Sequence, residues 1–552
     1  MRGTYGFLTT SLAWRFLLLG VVFAILAVLP MTTRWGDLRM GGRDAKPEYS
    51  TFTWIAMNIC NALAAGLLIF GTGEWLFYVN TPPFGLEPGS VEAYEHASAC
   101  GMFHWGISAR AFYLIPGLAI GYLYWNKGAA SLRMSDLARP LIGSGETFAS
   151  RTAGFLRDAI VVFGYFAAIM TTVGIDTPVT GEILSDVFGI ENSFALKLGV
   201  IIVFCTFFTL SASKSIARGM GRISDMNVKL VLAFFAFLLI AGDTGFMLNN
   251  TVMSIGTSIG EFVRMSFNSD AIGNTGFVQS WTIFYWTWYV AIAFLCANSI
   301  ARTSYGRTFR EIALSNRIWA PLACWLSFST LGNYGMGQEL FHGLEVSSAI
   351  NEVGSAGATL MVLQTLPSPK VAVLVFLVLV FFNLAASATG NGLALSLWTA
   401  KELGPRDEPD RRLTIFWCVL FFVMPVGILL LERAIPGLIV RSTILSTIQS
   451  MITVSSIPVF FVLMAPFIAF IREIRSDICS GAVANAVSPS RAWRWTDDAL
   501  PPEAAKHASD PAKPEAYNSK TLRKQTHLRR ALRVRRCSSG LQSAPCSSYA
   551  KR

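Results

Sequence analysis

Repeated apolar segments of bilayer length constrain this chain more than any other feature of its sequence. Of its 552 residues, 53% are hydrophobic and only 14% are charged, which is far less charge than a soluble protein of this length carries. An apolar helix of about 20 residues crosses the hydrocarbon core of a bilayer. We therefore predict an all-α polytopic membrane protein with about eleven spans. The predicted spans are 12–30, 54–76, 104–125, 158–174, 194–212, 226–247, 281–301, 316–336, 369–397, 413–431 and 443–471.

The distribution of Lys and Arg among the loops predicts the orientation of these spans. Alternate loops are basic, and such loops stay on the cytoplasmic side of a membrane. The basic loops are 31–46, 126–157, 213–222, 302–317 and 401–412. The intervening loops carry few Lys or Arg and are 77–103, 175–193, 248–280 and 337–368. This topology places the C-terminus in the cytoplasm, and we expect the protein in the plasma (inner) membrane, in contact with the lipid bilayer.

Two outer segments have different patterns. Residues 252–265 have apolar side chains at helical spacing with Glu261 and Arg264 opposite, which predicts a short amphipathic helix at the membrane surface. Residues 77–103 contain Pro and Gly and are predicted to be irregular.

The C-terminal segment differs in composition from the rest of the chain. From Arg472 onward there are 16 Lys/Arg and 7 Asp/Glu, so +9 of the net charge of +11 belongs to this segment. We predict a transmembrane transporter domain over 1–475 and a basic, disordered cytoplasmic tail over 476–552. The tail is either inert or a sensor of anionic lipid, with Arg529, Arg530, Arg533, Arg535 and Arg536 as the candidates. Because most of the net charge lies in this segment, a nucleic-acid-binding core is not expected, and nucleic acid is not predicted as a partner.

Several classes of function are excluded by motifs that the sequence lacks. The nine cysteines are scattered singly with no C-x-x-C pair, so no zinc or redox motif is present. The sequence also contains no Walker motif, catalytic triad or metal-ligand cluster. We therefore expect no enzymatic activity, no cofactor, no bound metal and no ATP-driven transport.

The segment from Trp281 to Glu311 is the most informative part of the chain. It begins with crowded aromatic residues in an apolar span and ends with Arg302, Arg307 and Arg310, which mark the cytoplasmic end of that span. The aromatic residues are consistent with an interfacial belt or ordinary helix packing. They are equally consistent with an aromatic cage for a quaternary ammonium group, which binds to the faces of Trp and Tyr rings.

This segment resembles the signature of the betaine/choline/carnitine transporter (BCCT) family. The family pattern W-T-x-F-Y-W-x-W-W, followed by A-R-x-S-x-G-R-T-x-R-E, is matched by Trp281, Thr282, Phe284, Tyr285, Trp286 and Trp288, then by Ala301, Arg302, Ser304, Gly306, Arg307, Thr308, Arg310 and Glu311. The resemblance implies a LeuT-like fold of two inverted repeats of five helices, here about 54–247 and 281–471, with one additional N-terminal span. It also implies a homotrimer. Family members have one further peripheral span, so either the start of the chain is truncated or this member lacks that helix.

The resemblance also implies a substrate site. Trp288, Tyr289 and Trp286 lie on the signature helix, where Tyr289 replaces a second Trp of the family and Ile292 stands where members carry Trp or Tyr. The third span resembles the family's H-W-G-x-x-x-W-x-x-Y helix and contributes Trp105, Tyr113 and, where a Trp is expected, Arg110. On a continuous helix Trp105 and Arg110 would be about 140° apart, with Tyr113 between them.

Arg110 has two interpretations. An arginine inside a membrane span faces a cavity, a partner or an anion. It either binds a substrate carboxylate through a bidentate contact or forms a structural ion pair with an acid such as Glu74.

The family's substrate-proximal glycines and ion-binding oxygens are largely replaced in this chain. A Gly-x-Gly-x-Gly stretch becomes Ala62-Leu63-Ala64-Ala65-Gly66, in which only Gly66 is retained. In sodium-coupled members a facing helix supplies Thr and Ser hydroxyls, and here Leu384 and Ala385 stand in their place. A hard cation needs oxygen ligands, although a shifted alignment would recruit Ser387 and Thr389. Lys229 either substitutes for a cation or extends to the surface.

These features predict secondary active transport of a small zwitterionic quaternary ammonium or related onium compound by alternating access. The coupling ion is Na⁺, H⁺ or none, the last in a substrate exchanger, and the replaced oxygen ligands favour sodium independence. The alternative is a non-transporting osmosensor or receptor on the same scaffold, which the altered glycine stretch and ion site also fit.

Overall fold

Helices make up nearly all the regular structure of the residues described below. A computed structural model describes residues 5–62, 67–142, 147–213, 216–400, 409–434 and 441–479. Within these ranges the only β-pairing is one antiparallel bridge between Arg39 and Thr308. The described helices of ten residues or more are α1 (Ala13–Leu26), α2 (Thr51–Ala62), α3 (Leu67–Asn80), α4 (Val91–His104), α5 (Ile107–Gly121), α6 (Phe148–Phe188), α7 (Phe194–Ser213), α8 (Ile216–Ala241), α9 (Thr244–Gly260), α10 (Ile283–Thr303), α11 (Phe309–Ser327), α12 (Asn333–His342), α13 (Val346–Gln364), α14 (Pro369–Thr399), α15 (Arg411–Leu420), α16 (Val423–Ala434) and α17 (Arg441–Cys479).

Six described helical segments are long and apolar enough to cross a bilayer, or seven if a bent pair counts as one span. The six are Ala13–Thr32, Val91–Asn126, Phe148–Ile169, Val278–Thr303, Arg411–Leu431 and Ser450–Asp477, and the bent pair is Met226–Ala241 with Thr244–Gly260. An all-helical polytopic membrane protein is therefore supported. The count of eleven spans and the inverted repeat stay predictions, although a described helix lies at each predicted span.

The signature helix α10 lies at the centre of the described structure. It carries apolar or aromatic side chains on every face and is buried along most of its length, as expected for a helix surrounded by other helices. It packs most extensively along α5 and α17. The aromatic half of the signature is therefore fixed between other helices, because a close-packed interior leaves its rings little freedom.

Several segments predicted to be loops contain helices, among them 77–103 and 337–368. The outer segment 77–103 includes α4, whose first turn is capped by the Ser90 hydroxyl accepting a hydrogen bond from the Ala93 amide at 3.2 Å. The segment 337–368 includes α13, which is bent at Gly354 (φ 68°, ψ 177°). The irregular structure predicted for 77–103 is thus wrong for its second half, because a polar N-cap and a run of small residues favour a helix there.

A helix break separates Trp105 from Arg110. Gly106 has φ −92° and ψ −136°, and a Cβ there would lie 2.3 Å from the Met102 carbonyl oxygen. Trp105 therefore ends α4, whereas Arg110 and Tyr113 lie on α5. The angular offset expected of one continuous helix does not apply to these side chains.

The predicted outer amphipathic helix is confirmed as a helix, with different bounds. α9 begins at Thr244, and a second short helix, Phe262–Phe267, follows it. The axis of Thr244–Gly260 turns 113° from that of Met226–Ala241. The Asp243 carboxylate caps the new helix by accepting from the Phe246 amide at 2.9 Å.

The basic half of the signature fastens α11 to the loop that follows α1. The Met40 amide donates to the Arg307 carbonyl at 3.0 Å, and the Gly306 amide donates to the Met40 carbonyl at 2.9 Å. Arg310 donates to Asp37 at 2.8 Å as an ion pair. Thr308 and Glu311 form a capping box at the start of α11. Arg307, Arg310 and their neighbours therefore build structure and lie apart from the aromatic half.

Most of the predicted tail, 476–552, lies beyond the described residues. Residues 480–552 lie outside the described residues, and so do Leu63 and Gly66. The boundary at 475 falls inside α17, which continues to Cys479. The domain limits and the repeat limits stay predictions.

Candidate functional site

Five aromatic side chains from three helical segments meet beside the signature helix. This aromatic cluster comprises Phe70, Trp105, Phe284, Tyr285 and Trp288. Trp288 lies 5.9 Å from Phe70, 6.3 Å from Trp105 and 5.3 Å from Phe284, measured between ring centroids. Its ring is stacked with that of Tyr285, with 6.2 Å between the ring centroids and 6° between the ring planes. The structure thus brings together the predicted cage residues Trp105 and Trp288.

The cluster is closed in this structure. Trp288 is 8% exposed and Trp105 is 5% exposed. A trimethylammonium group could contact several of these ring faces at once only if the rings moved apart to admit it. Phe328, from a π-helical turn over Phe328–Gly332, borders the cluster 6.3 Å from Trp105, and such turns are frequent at functional sites.

A buried carboxylate lies directly behind the cluster. Glu74 is 1% exposed. Its Oε2 accepts hydrogen bonds from Trp105 Nε1 at 3.0 Å and from the Tyr285 hydroxyl at 2.6 Å. Its Oε1 accepts from the Tyr78 hydroxyl. The carboxylate therefore joins α3 to Trp105 at the end of α4 and to Tyr285 on α10.

The hydrogen-bond network continues away from the cluster through His104. Tyr78 is 2.9 Å from His104 Nδ1, and His104 Nε2 is 3.0 Å from the Thr282 hydroxyl. Because Tyr78 donates to Glu74, it accepts from His104, which fixes the imidazole as the Nδ1–H tautomer. His104 and Thr282 line a small cavity of about 10 Å³, whose wall includes Phe84 and Asn268. This volume is roughly that required by one water molecule.

Arg110 lies in the interior of α5 with an incomplete set of partners. It is 6% exposed, its Nη2 donates to Cys324 Sγ at 3.0 Å, and its Nε has no hydrogen-bond partner. Its Cζ lies 5.7 Å from the centre of the Tyr113 ring. A thiol is a weak acceptor for a guanidinium. The Arg110 guanidinium can therefore still donate hydrogen bonds to an anion.

Arg110 is connected to the aromatic cluster through two tyrosines. The Tyr113 and Tyr289 rings meet edge to face at 5.7 Å, and Tyr289 is 5.8 Å from Tyr285. The Tyr289 hydroxyl donates to the His104 carbonyl at 2.8 Å. Arg110, Tyr113 and Tyr289 thus extend the wall that begins at Trp288 and Tyr285.

The ion pair between Arg110 and Glu74, one of the two interpretations from the sequence, is wrong. Glu74 is bonded to Tyr78, Trp105 and Tyr285. In the part of the chain that the structure describes, no salt bridge joins Arg110 to a carboxylate. The helix break at Gly106 turns Arg110 toward α11 and Cys324, which a continuous helix would not have predicted.

Trp286 lies on a different side of the signature helix from Trp288. Its ring contacts Phe103 at 5.6 Å and Phe112 at 5.7 Å. A Cβ on Gly20 of α1 would lie 2.6 Å from its Nε1. The geometry therefore places Trp286 in the packing between α10 and the N-terminal helix, with Tyr289 as its contact toward the cluster.

The predicted coupling-ion region is described only in part. Leu384 lies on α14 and is 1% exposed, so its side chain belongs to the protein core. The side chains of Ala62, Ala385 and Ser387 lie outside the description, as do Leu63 and Gly66 altogether. At Leu384 the apolar side chain offers no oxygen to a cation.

Several site residues were not singled out from the sequence. Phe70, Phe328 and Cys324 carry no local pattern that separates them from core residues. Glu74 did carry a signal, because an acid within an apolar span requires partners, but its actual partners lie on other helices. Tyr285 belonged to the signature without a role assigned to its hydroxyl.

Comparison with known proteins shows which family the chain resembles. A sequence profile described as "BCCT, betaine/carnitine/choline family transporter" matches residues 1–478. A carnitine transporter of Acinetobacter baumannii is 29% identical over 413 residues, which is 74% of each chain. An uncharacterized transporter of Escherichia coli, YeaV, is 27% identical over 452 residues, covering 82% of this chain and 91% of its own.

Proposed function

This chain belongs to the BCCT family of betaine/carnitine/choline transporters, and on that premise we propose that it is a secondary active transporter of a small zwitterionic onium compound. The substrate class combines a quaternary ammonium or related onium group with a carboxylate, as in betaine or carnitine. The similar carnitine transporter and the multiple apolar helices support transport across a membrane over enzymatic chemistry.

The observation that carries this proposal is the pairing of the aromatic cluster with a buried guanidinium. Ring faces bind a trimethylammonium group without needing hydrogen bonds from it. Arg110 Nε has no partner, and a guanidinium binds a carboxylate through two parallel hydrogen bonds. A zwitterion with these two groups would satisfy both parts of the site. Trp288, Trp105, Tyr113 and Tyr289 would contact the ligand, and Trp286 would support them.

The coupling and assembly of the transporter are part of the same proposal. Alternating access would open the closed cluster to one side of the membrane at a time. Leu384, which is buried, and the presence of Ala rather than a hydroxyl residue at position 385 of the sequence favour coupling to H⁺ or exchange of substrates over coupling to Na⁺. We further infer a homotrimer in the plasma (inner) membrane with a cytoplasmic C-terminus, as the family and the basic loops suggest.

Uptake of radiolabelled glycine betaine and carnitine into proteoliposomes tests the function directly. The unmodified protein should accumulate at least one of them above protein-free liposomes. Trp288→Ala should abolish uptake because the most central ring of the cluster is lost, whereas Trp288→Phe should retain part of it. Unchanged uptake by Trp288→Ala would remove the aromatic cluster from the substrate path.

A matched aromatic control is available in Phe309. It is buried near Phe470 and Tyr122 at the other end of the signature segment. Phe309→Leu should change thermal stability and leave the substrate affinity unaltered. Binding of onium compounds without any uptake or exchange would favour the osmosensor or receptor alternative.

A further inference from the structure

Glu74 is a buried acid that has no role in the substrate binding proposed above. All three of its partners can donate, and Trp105 Nε1 can only donate. An ionised carboxylate accepts from all of them at once, whereas a protonated one would have to donate its own hydrogen to one of them. The arrangement therefore fits the ionised form. No Lys, Arg or His forms a salt bridge with Glu74 among the residues that the structure describes.

The carboxylate controls two rings that line the cluster. Trp105 and Tyr285 come from different helices, and both hydrogen bonds end on the same oxygen, Glu74 Oε2. Their rings are 5.5 Å apart at 67°. Tyr285 in turn is stacked on Trp288. Because Glu74 holds the Trp105 Nε1 and the Tyr285 hydroxyl, it fixes the plane of each of these two rings. Tyr285 then presents a fixed ring face to Trp288.

The charge acts together with this positioning. A phenol or indole that donates to a carboxylate is polarised by it, because hydrogen bonds in a low-dielectric interior strengthen the charge distribution of the groups they join. The negative face of such a ring attracts a cation more strongly. The carboxylate also adds a direct attraction, since charges interact strongly when protein replaces water between them.

We propose that Glu74 is the positioning and selectivity residue of the aromatic cluster, through which the site distinguishes a full positive charge from a neutral group of the same shape. The inference rests on the proposed function, because it concerns the ligand of the same cluster. Arg110 would recognise the carboxylate of the ligand, and Glu74, acting through Trp105 and Tyr285, would make the other end selective for a cation.

An isosteric pair of ligands tests this inference. Glycine betaine and 3,3-dimethylbutanoate have the same shape and the same carboxylate, but a trimethylammonium group in the first is a neutral tert-butyl group in the second. Calorimetric titration of the purified full-length protein in nanodiscs gives both dissociation constants. The unmodified protein should bind betaine at least about tenfold more tightly, as expected for a desolvated cation over ring faces.

In Glu74→Gln the preference for betaine should fall by about tenfold, with the affinity for 3,3-dimethylbutanoate little changed. Glu74→Asp keeps the charge but shortens the side chain, so both ligands should weaken together. Glu339→Gln is the matched control, since Glu339 also accepts from a tyrosine, Tyr94, and from Ser347, but lies outside the cluster. Its ligand preference should equal that of the unmodified protein.

The outcomes are distinguishable. An equal weakening of both ligands in Glu74→Gln would reduce Glu74 to a structural role and overturn the inference, as would an unchanged preference. If Glu74→Gln does not fold, Tyr285→Phe decides, because it keeps the ring and removes one donor to Glu74: a reduced preference supports the inference and an unchanged one overturns it. Failure of the unmodified protein to bind any onium compound would instead defeat the proposed function.

Discussion

At the scale of single residues, the chain places a cation where its family's pattern has an aromatic ring. Arg110 is buried, has one weak acceptor in Cys324 and keeps Nε without a partner. Leaving a buried hydrogen-bond donor without a partner costs about 1–3 kcal/mol, and more when the donor belongs to a charged group. The substrate carboxylate is the partner that the proposed function supplies.

Replacing Arg110 by the family's residue tests this role. Arg110→Trp should weaken binding of carboxylated ligands by about ten- to a hundredfold, the range of a charge-assisted hydrogen bond of about 1.5–3 kcal/mol. Choline has no carboxylate, so its binding should be unchanged or improved. The measurement is calorimetric titration of betaine and choline with the purified protein.

Cys324→Ala is the control for the Arg110 experiment. It removes the sulfur that Arg110 contacts but leaves the guanidinium free to bind a carboxylate, so betaine affinity should be retained or slightly increased. Equal binding of choline and betaine by the unmodified protein, together with normal expression of Arg110→Trp, would defeat the assignment.

At the scale of elements, the basic half of the signature works as a joint between the N-terminal loop and α11. Gly306 has φ +76°, and a Cβ there would lie 2.3 Å from the Lys46 carbonyl carbon. Glycine is thus required both by the backbone conformation and by the close approach of the Lys46–Pro47 backbone. These contacts hold the C-terminal end of the signature helix at a fixed position relative to α2 and α11.

Gly306→Ala should lower the thermal unfolding temperature more than Gly343→Ala. Both glycines have positive φ, +76° and +73°, but nothing lies within 4 Å of a Cβ at Gly343. The left-handed conformation disfavours alanine at both sites by about 1–2 kcal/mol, so the difference between them reports the clash with Lys46. Fluorescence-detected thermal unfolding measures it, and equal shifts would show that the loop moves freely away.

Glu311 provides a pH-dependent part of the same joint. Burial alone would raise the pKa of the Glu311 carboxyl, but hydrogen bonds from Thr308 and the charge of Arg307 outweigh it and lower the pKa overall. A carboxyl whose pKa is depressed by folding stabilises the folded state above its unfolded pKa, and that contribution disappears as the pH falls through its folded pKa. Glu311→Gln should therefore be less stable than the unmodified protein at neutral pH.

Thermal unfolding of both proteins as a function of pH checks the sign for Glu311. The stability difference should shrink as the pH falls below the ordinary pKa of a glutamate, 4.5. A difference that is constant from neutral to acid pH would mean that the capping amide replaces the carboxylate without loss. Glu345, which makes no side-chain cap on α13, offers the comparison variant Glu345→Gln, whose stability should change little.

At the scale of the whole molecule, the predicted inverted repeat would bring the start of the first repeat against the signature helix. α3 and α10 contact each other, for example where Glu74 of α3 accepts from Tyr285 of α10 across 211 residues of sequence, whereas the inverted repeat itself stays a prediction. The substrate site and the coupling-ion site would then both lie between the two repeats. Replacement of the ion's oxygen ligands by Leu384 and Ala385 would therefore change which gradient drives transport.

Transport should be less dependent on sodium than in typical members of the family. Leu384 is a buried apolar side chain at a position where sodium-coupled members are expected to carry an oxygen. Uptake into proteoliposomes should persist when potassium replaces sodium. A steep sodium dependence, with no activity in potassium buffer, would instead indicate ligands from Ser387 and Thr389, and Ser387→Ala should then abolish it.

The sequence by itself determined the class of the fold and the identity of the helices that matter. Apolar segments of bilayer length predict helices wherever they occur, and the described helices lie at every predicted span. The resemblance of the signature helix and of the third span to the family predicted Trp288 and Trp105 as parts of one site, and the structure places their rings 6.3 Å apart. Helix ends were less predictable, as α4 shows, because caps and breaks depend on single residues such as Ser90 and Gly106.

Only the tertiary structure decided which side chains share the site. Whether Glu74 binds Arg110 or Trp105 depends on the break at Gly106 and on how three helices pack, and no local pattern records either. Helix packing also places Phe70 in the cluster and Phe328 at its border. It places Trp286 outside the cluster, against Gly20. Hydrophobic pattern and helix propensity are properties of neighbouring residues, whereas a binding site is a property of residues brought together from distant parts of the chain by close packing.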